Sequence, residues 1–268
     1  IKSSAAWLYG AESVVTGSGN DYIDVTGGSS GEYGMDTVFS GAGNDTVYVG
    51  SAYSGYSDYQ VVDAGDGDDQ VYAYVSNYTG RNSMMGGAGN DTLVATGGST
   101  NVMSGGLGND SMVGGTGSDT MLGGVGNDTI AVFSGTDSVD AGDGNDVVIS
   151  AGYGTLRGGA GDDQLLHSGT SAINLFGDAG NDTLVSGTGT DSLEGGSGND
   201  SLFSAGGADT MRGGDGDDTM GFGGGSRIFG DAGNDRIVSK GAVASSTVWG
   251  GEADDYIDMR ADTLGDTI

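Results

Sequence analysis

Aliphatic residues recur along this chain in two interleaved series, each spaced by about one repeat. One series is Ile23, Val47, Val71, Leu93, Met112, Ile130, Val148, Leu165, Leu184, Leu202, Met220, Ile237 and Ile257. The other is Val14, Val38, Val62, Met84, Met103, Met121, Val139, Leu156, Leu175, Leu193, Met211, Ile228 and Val248. Each aliphatic sits between residues that tolerate solvent, the alternation of a very short strand with one side chain pointing inward. Between the strands lie stretches rich in Gly that end in Asn or Asp, the chemistry of tight turns. One repeat therefore predicts two short strands, two turns and two inward aliphatics. Stacking such repeats predicts an all-β fold, a parallel β-roll or β-helix solenoid of about 13 turns. Two parallel sheets would face each other across a thin core.

The turn that precedes the first series is nearly invariant, x-G-x-G-[N/D]-D-x-aliphatic. It places an Asp at 21, 45, 69, 91, 110, 128, 146, 163, 182, 200, 218, 235 and 255. From Asp91 onward the steps are 19, 18, 18, 17, 19, 18, 18, 17 and 20 residues; the first three are 24, 24 and 22. A carboxylate at fixed phase in a solenoid predicts a cation site repeated at every turn, a ladder along one edge. The opposite turn is less regular. Asp36, Asp119, Asp137, Asp191 and Asp209 occupy it in nearly full motifs, but Met35, Ser118, Thr136, Thr190 and Ala208 precede them where the strong turn has Asn or Asp. Residues 150–157, 167–176 and 222–229 carry no such Asp, so the second edge is expected to be patchy.

Composition sharpens this reading. The 268 residues include 59 Gly, about three times the usual share of roughly 7%, with no Pro and no Cys. Acids outnumber Lys plus Arg 38 to 8, a formal charge of −30. Only Glu12, Glu32, Glu194 and Glu252 are Glu, which leaves 34 Asp (38 − 4). A merely solvating surface would use Glu freely, so the shorter carboxylate points to defined local geometry. The charge excludes nucleic acid as a partner and suits a chain that awaits a multivalent cation. No apolar run reaches the roughly 18 residues of a membrane span, and no secretory leader is visible. The chain starts at Ile1, as a processed product or a fragment would.

These Gly–Asp nonapeptides resemble the RTX (repeats-in-toxin, hemolysin-type) family of secreted bacterial proteins. The resemblance covers residues 16–258; residues 1–15 and 259–268 read as flanks or continuation, and the longer, Tyr-rich turns fall within 16–85. It implies a parallel β-roll with Ca²⁺ between successive turns on the same edge. The implied ligands are the thirteen strong Asp residues, with weaker sites at Asp36, Asp119, Asp137, Asp191 and Asp209. Backbone oxygens at Gly106, Gly108, Gly196, Gly198 and their equivalents would complete the sites. Roughly 10 to 16 ions would bind, and about twelve in one ladder would bring roughly +24 against the chain's charge. Without them, carboxylates about 5 Å apart repel and a Gly-rich chain loses much entropy on ordering, so metal binding would supply folding free energy. Ala253 in place of the second turn Gly, and the thinner first unit around Thr16 and Ser18, would weaken the terminal sites.

Other chemistries find little support. His167 is the sole histidine, no Cys exists to pair with it, and no G-x-S-x-G elbow occurs, so the chain is expected not to be an enzyme. The Asn-Asp-Thr sequons fall inside the turns and read as by-products of the repeat. An ice-binding face would need a regular Thr or Asn ladder where Ser18, Ala42, Asp66, Ala88, Leu107 and Val125 stand. Ten of the 12 Tyr lie in the first 80 residues, Tyr53, Tyr56 and Tyr59 in one apparent insertion and Tyr72, Tyr74 and Tyr78 in the next. They form either apolar cover for bulky turns or a surface for self-assembly or cell-surface partners. Two roles fit the whole. The first is an extracellular, secreted or cell-surface bacterial structural protein of surface-layer, matrix or adhesin type that rigidifies on Ca²⁺. The alternative is the C-terminal secretion and folding module of a larger type I-exported enzyme or toxin.

Overall fold

A computed structural model describes residues 13–26, 35–51, 59–75, 80–98, 100–241, 245–260 and 267. Among them every regular element is a strand. The chain forms two compact units, Ile1–Asp140 and Ala141–Ile268.

In the first unit one sheet stacks Ser13–Val15, Met35–Ala42, Tyr59–Asp66, Arg81–Ala88, Thr100–Leu107 and Thr120–Val125, each parallel to the next. Its second sheet stacks Tyr22–Asp24, Thr46–Ser51, Gln70–Val75, Thr92–Thr96, Ser111–Val113 and Thr129–Val132, also all parallel. The second unit repeats the plan. Tyr153–Ala160 is followed in its sheet by Ile173–Ala179, Ser192–Ser197, Thr210–Asp215, Arg227–Ala232 and Thr247–Glu252. Val147–Ser150 is followed by Gln164–His167, Thr183–Ser186, Ser201–Ser204, Thr219–Phe222, Arg236–Ser239 and Tyr256–Asp258. Successive strands belong to alternate sheets, so each unit is a parallel β-roll. The strands at the two ends, Ser13–Val15, Tyr22–Asp24 and Tyr256–Asp258, have only three residues each. The regular roll is thus slightly shorter than the thirteen turns counted along the chain.

Register follows the aliphatic series. Leu165 pairs with Leu184 and Leu184 with Leu202 in one sheet; Leu175 pairs with Leu193 and Leu193 with Met211 in the other. A one-residue slip would turn each inward aliphatic to solvent, so the hydrophobic pattern pins the register. All the described aliphatics of both series are buried except Val14 and Ile257 at the ends, which are half-buried for want of an outer neighbour.

The tyrosines require a correction. Tyr59, Tyr72 and Tyr74 lie within strands, not in insertions. Parallel in-register pairing sets Tyr48 beside Tyr72, while Tyr22 pairs with Thr46 and reaches the Tyr48 ring diagonally. The Tyr48 and Tyr72 rings stack with centroids 5.0 Å apart, and Tyr22 and Tyr48 are 5.7 Å apart. Their spacing is that of the sheet itself, so the rings stack along the outer face. Tyr53, Tyr56 and Tyr78 lie outside the described residues.

Candidate metal centre

The strong-edge Asp residues form a directional ladder. The backbone N–H of each donates to Oδ1 of the Asp one turn further on: Asp21 to Asp45, Asp45 to Asp69, Asp69 to Asp91, Asp91 to Asp110 and Asp110 to Asp128 in the first unit, at 2.7–2.8 Å. In the second unit Asp146, Asp163, Asp182, Asp200 and Asp218 donate in the same way to Asp163, Asp182, Asp200, Asp218 and Asp235, at 2.8–2.9 Å. Asp235 donates to Asp255 at 3.0 Å. These bonds consume one oxygen of each carboxylate and leave the other. Oδ2 of Asp45, Asp69, Asp91, Asp110, Asp163, Asp182, Asp200, Asp218 and Asp235 is buried without a hydrogen-bond partner. A buried, unpartnered carboxylate oxygen is costly, and a line of them is a line of sites that require a cation.

The glycine five residues upstream explains the space beside each free oxygen. A Cβ placed on Gly195 would lie 2.3 Å from Asp200 Oδ2 and 2.6 Å from the carbonyl oxygen of Gly213, one turn on. Gly105 repeats this with Asp110 Oδ2 at 2.2 Å and Gly123 O at 2.7 Å. These two cradles pair a carboxylate oxygen with a backbone carbonyl from the next turn in space a Gly leaves open; Ser40, Ala64 and Ala141 hold the same position before Asp45, Asp69 and Asp146. Among the described residues no three His, Cys, Asp or Glu side chains converge on a point. The donor set is instead one carboxylate per turn plus backbone carbonyls: hard oxygens without nitrogen or sulfur. That set fits Ca²⁺, which accepts flexible all-oxygen coordination. When bound, the ion neutralises the ladder and joins adjacent turns.

Sequence reasoning placed the backbone ligands at Gly106, Gly108, Gly196 and Gly198. In the structure these four also shape the turn. Gly196, at φ 117°, presses its Cα against the preceding turn, where a Cβ would meet Asp178 O at 2.1 Å. The N–H of Gly108 and of Gly198 donates to Val125 O and Asp215 O at 2.7 Å. The carbonyl oxygens of Gly123, Gly195 and Gly213 share with a free Oδ2 the Cβ space of Gly105, Gly177 and Gly195. The doubled glycine of the motif carried that signal: the first leaves space, the second supplies the turn.

A second side-chain ladder escaped sequence reasoning. The Asn or Asp before each ladder Asp accepts from the backbone of the following turn. Asn109 donates to Asn90 Oδ1 at 2.8 Å, Asn181 to Asp162 Oδ1 at 2.8 Å, Asn199 to Asn181 Oδ1 at 2.9 Å and Asp217 to Asn199 Oδ1 at 2.7 Å. This explains why that position admits only a side chain with a short acceptor.

The patchy edge is a mixed ladder. Asn82 Nδ2 donates to Asn101 Oδ1 at 2.6 Å, Asn101 N to Asp119 Oδ1 at 2.9 Å and Asp119 N to Asp137 Oδ1 at 3.0 Å. In the second unit Ile173 N donates to Asp191 Oδ1, Asp191 N to Asp209 Oδ1 and Asp209 N to the Ser226 hydroxyl. Amides and hydroxyls thus stand where the sequence shows no Asp. Cradles differ here too. Gly114 stands five residues before Asp119, and its Cβ would lie 2.7 Å from Asp119 Oδ2. Val132, Ser186 and Ser204 hold that position before Asp137, Asp191 and Asp209. The Ser204 hydroxyl donates to Asp209 Oδ2 in a short hydrogen bond and so takes the oxygen a cation would use. Asp36, at the start of this edge, is 9% exposed.

Burial drives the carboxyls upward. Asp69, Asp91, Asp110, Asp137 and Asp182 are pushed to about 6, and Asp163 and Asp218 to about 7, chiefly by desolvation, with neighbouring ladder carboxylates adding to it. Asp119, Asp200, Asp209 and Asp235 are raised for the same first reason. The exposed Asp162 and Asp217 move the other way, since Asn181 and Asn234 donate backbone and side-chain N–H groups to them. The edge therefore separates buried carboxyls that resist ionising alone from exposed ones that ionise readily.

Two turns place Asp at the second of the paired glycines, and the last turn places Ala two residues beyond that position. Asp178 and Asp231 adopt φ 74° and 75°, and Ala253 adopts φ 80°. Arg157 and Arg212 reach across to these two Asp residues at 2.8 and 2.7 Å while lying over the rings of Phe176 and Phe229. Ala253 has no such compensation, and Asp255 beside it is only half-buried.

A family model, the RTX calcium-binding nonapeptide repeat (4 copies), matches residues 8–29, 30–52, 76–112, 96–130, 113–148, 134–152, 150–168, 174–202, 185–220, 195–227 and 220–239. No curated protein matches the chain. Among the described residues no helix is long and apolar enough to cross a membrane. With the repeat model matched over most of its length and free carboxylate oxygens beside glycine cradles in the matched turns, the chain belongs to the RTX calcium-binding nonapeptide repeat family.

Proposed function

We propose that this calcium-binding repeat protein is a structural segment of an extracellular bacterial assembly, of surface-layer, matrix or adhesin type, without catalytic activity. The line of buried Asp Oδ2 atoms carries the reading. The strong-edge turns offer their carboxylates to a cation, and the same atoms oppose packing when the cation is missing. Such a chain stays expanded where calcium is scarce and rigidifies outside the cell, where millimolar calcium is available. Roughly 10 to 16 ions per chain fit the strong ladder plus the open cradle near Asp119.

Multi-angle light scattering across a calcium titration to several millimolar tests this. The expected result is contraction of the monomer followed by growth in mass to ordered oligomers. Contraction at constant monomer mass would favour the other reading, a folding and export module for a larger secreted protein. A compact, β-rich chain in excess chelator at pH 8 would overturn both.

A further inference from the structure

Four tyrosines of the first unit meet on the outer face of one sheet, with Tyr48 at their centre. Its ring centroid lies 5.0 Å from that of Tyr72, 5.7 Å from Tyr22 and 6.3 Å from Tyr74, and Tyr72 and Tyr74 are 6.5 Å apart. Cover alone does not require phenols, because the following strands carry Val94, Val113 and Ala131 in line with Tyr72. The Tyr48–Tyr72 pair differs from the other contacts. Its strands run parallel with the two Cα atoms in register, so both side chains leave the sheet in the same direction. The ring planes are inclined by only 13° at nearly the strand spacing. Like atoms therefore face like atoms, and the carbon beside one hydroxyl lies against the carbon beside the other. Tyr22 meets Tyr48 at 49°, which breaks that match.

We propose that Tyr48 and Tyr72 form a site of oxidative cross-linking, joined as a dityrosine by a one-electron oxidant such as a haem peroxidase with hydrogen peroxide. Each phenol gives up one electron and its hydroxyl proton. The two phenoxyl radicals couple through a Cε–Cε bond, and the hydrogens on the joined carbons move to the oxygens, which restores both phenols. Hydrogen peroxide takes the two electrons and two protons and leaves as water. Coupling needs two radicals in contact, and the stacked strands supply that proximity in advance. Tyr22 and Tyr74 are 53% and 42% exposed and pass oxidation on to the half-buried pair. The Phe229–Trp249 stack of the second unit is closer still, at 4.5 Å and 7°, but has no phenol and forms no such bond. The cross-link requires the folded roll and not its assembly. It ties two successive turns covalently, so they stay joined when calcium leaves.

Treatment of the calcium-loaded full chain with a haem peroxidase and hydrogen peroxide, followed by digestion and mass spectrometry, tests the assignment. The expected result is one dominant cross-link within a single chain, between the peptides that hold Tyr48 and Tyr72, lighter by two hydrogens and fluorescent as dityrosine. Tyr48→Phe keeps a ring in the stack and should lower the yield at least about tenfold, because no second phenol is then held against Tyr72 in register. Tyr153→Phe, at an exposed tyrosine of the second unit, should leave the yield unchanged. Absence of dityrosine, or a yield that ignores Tyr48→Phe, would overturn the proposal. So would cross-links spread over other tyrosines or formed mainly between chains.

Discussion

The Ser204 hydroxyl donates to Oδ2 of Asp209, five residues along the same turn, in a fully buried hydrogen bond. On the opposite edge the corresponding oxygen of Asp200 has no partner and faces the space left by Gly195. The same carboxylate is thus closed by a hydroxyl on one side of the roll and open to a cation on the other. Replacing Asp200 with Asn should weaken calcium binding by roughly tenfold or more, since a charged oxygen ligand is lost from an open site. Asp209→Asn should change it by less than about twofold at the same comparison scale. Calcium titration followed by calorimetry distinguishes them; equal losses would contradict the distinction between the edges.

Glycine substitutions separate space from backbone conformation. Gly195→Ala drives a methyl into Asp200 Oδ2 and Gly213 O, so calcium-dependent stability should fall by about 2 kcal/mol or more as a cation site closes and neighbours shift. Gly206 has nothing within 4 Å of its Cβ position. Gly206→Ala should be neutral or stabilising by about 0.4–1 kcal/mol through the unfolded chain. Urea unfolding at fixed free calcium measures both.

Ala253 occupies a positive-φ position without the arginine that accompanies Asp178 and Asp231. Ala253→Gly should stabilise the calcium form by about 1 kcal/mol. Asp178→Gly should change stability by less than that, because relief at φ 74° is offset by loss of the Arg157 pair. Thermal melts of the two variants provide the comparison.

Acid should partly replace calcium. The buried ladder carboxyls are raised to about 6 or 7 in the folded chain, above their ordinary value when unfolded. The folded state then binds the extra protons, so their contribution is present at low pH and is lost as pH rises through 6 to 7. In excess chelator, far-ultraviolet circular dichroism should show more strand at pH 5 than at pH 8. With calcium present, apparent affinity should fall as pH drops through the same interval, because protons compete for Oδ2. A metal-free chain equally unfolded at both pH values would contradict this.

Much of this was legible because the repeat is short and its phases are fixed. Val38, Leu93 and Leu202 announced their burial by position alone, and the thirteen Asp by their recurrence. Three things were not legible. The doubled glycine divides its tasks in three dimensions, so Gly105 and Gly195 border the free oxygen while Gly106 and Gly196 serve the turn. The tyrosines at 59, 72 and 74 looked like loop residues because their repeats are longer than the rest, and only pairing with Tyr48 and Gly50 places Tyr72 and Tyr74 in a sheet. The second edge looked empty wherever Asp was missing, yet Asn82, Asn101 and Ser226 continue it with neutral groups, which periodicity of charge does not reveal.

The two ladders on the strong edge point in opposite directions: Asp182 N–H reaches forward to Asp200, while Asn199 N–H reaches back to Asn181. A partly folded stretch of this edge that stops after one turn consequently presents both an unfilled donor and an unfilled acceptor to whatever comes next. The next turn fits them only if it arrives in the same direction and at the same phase. Folding along the edge then resembles growth at the step of a crystal face, where the last layer carries the stencil for its successor. A misaligned turn meets two mismatches at once and is rejected before the cation closes over it.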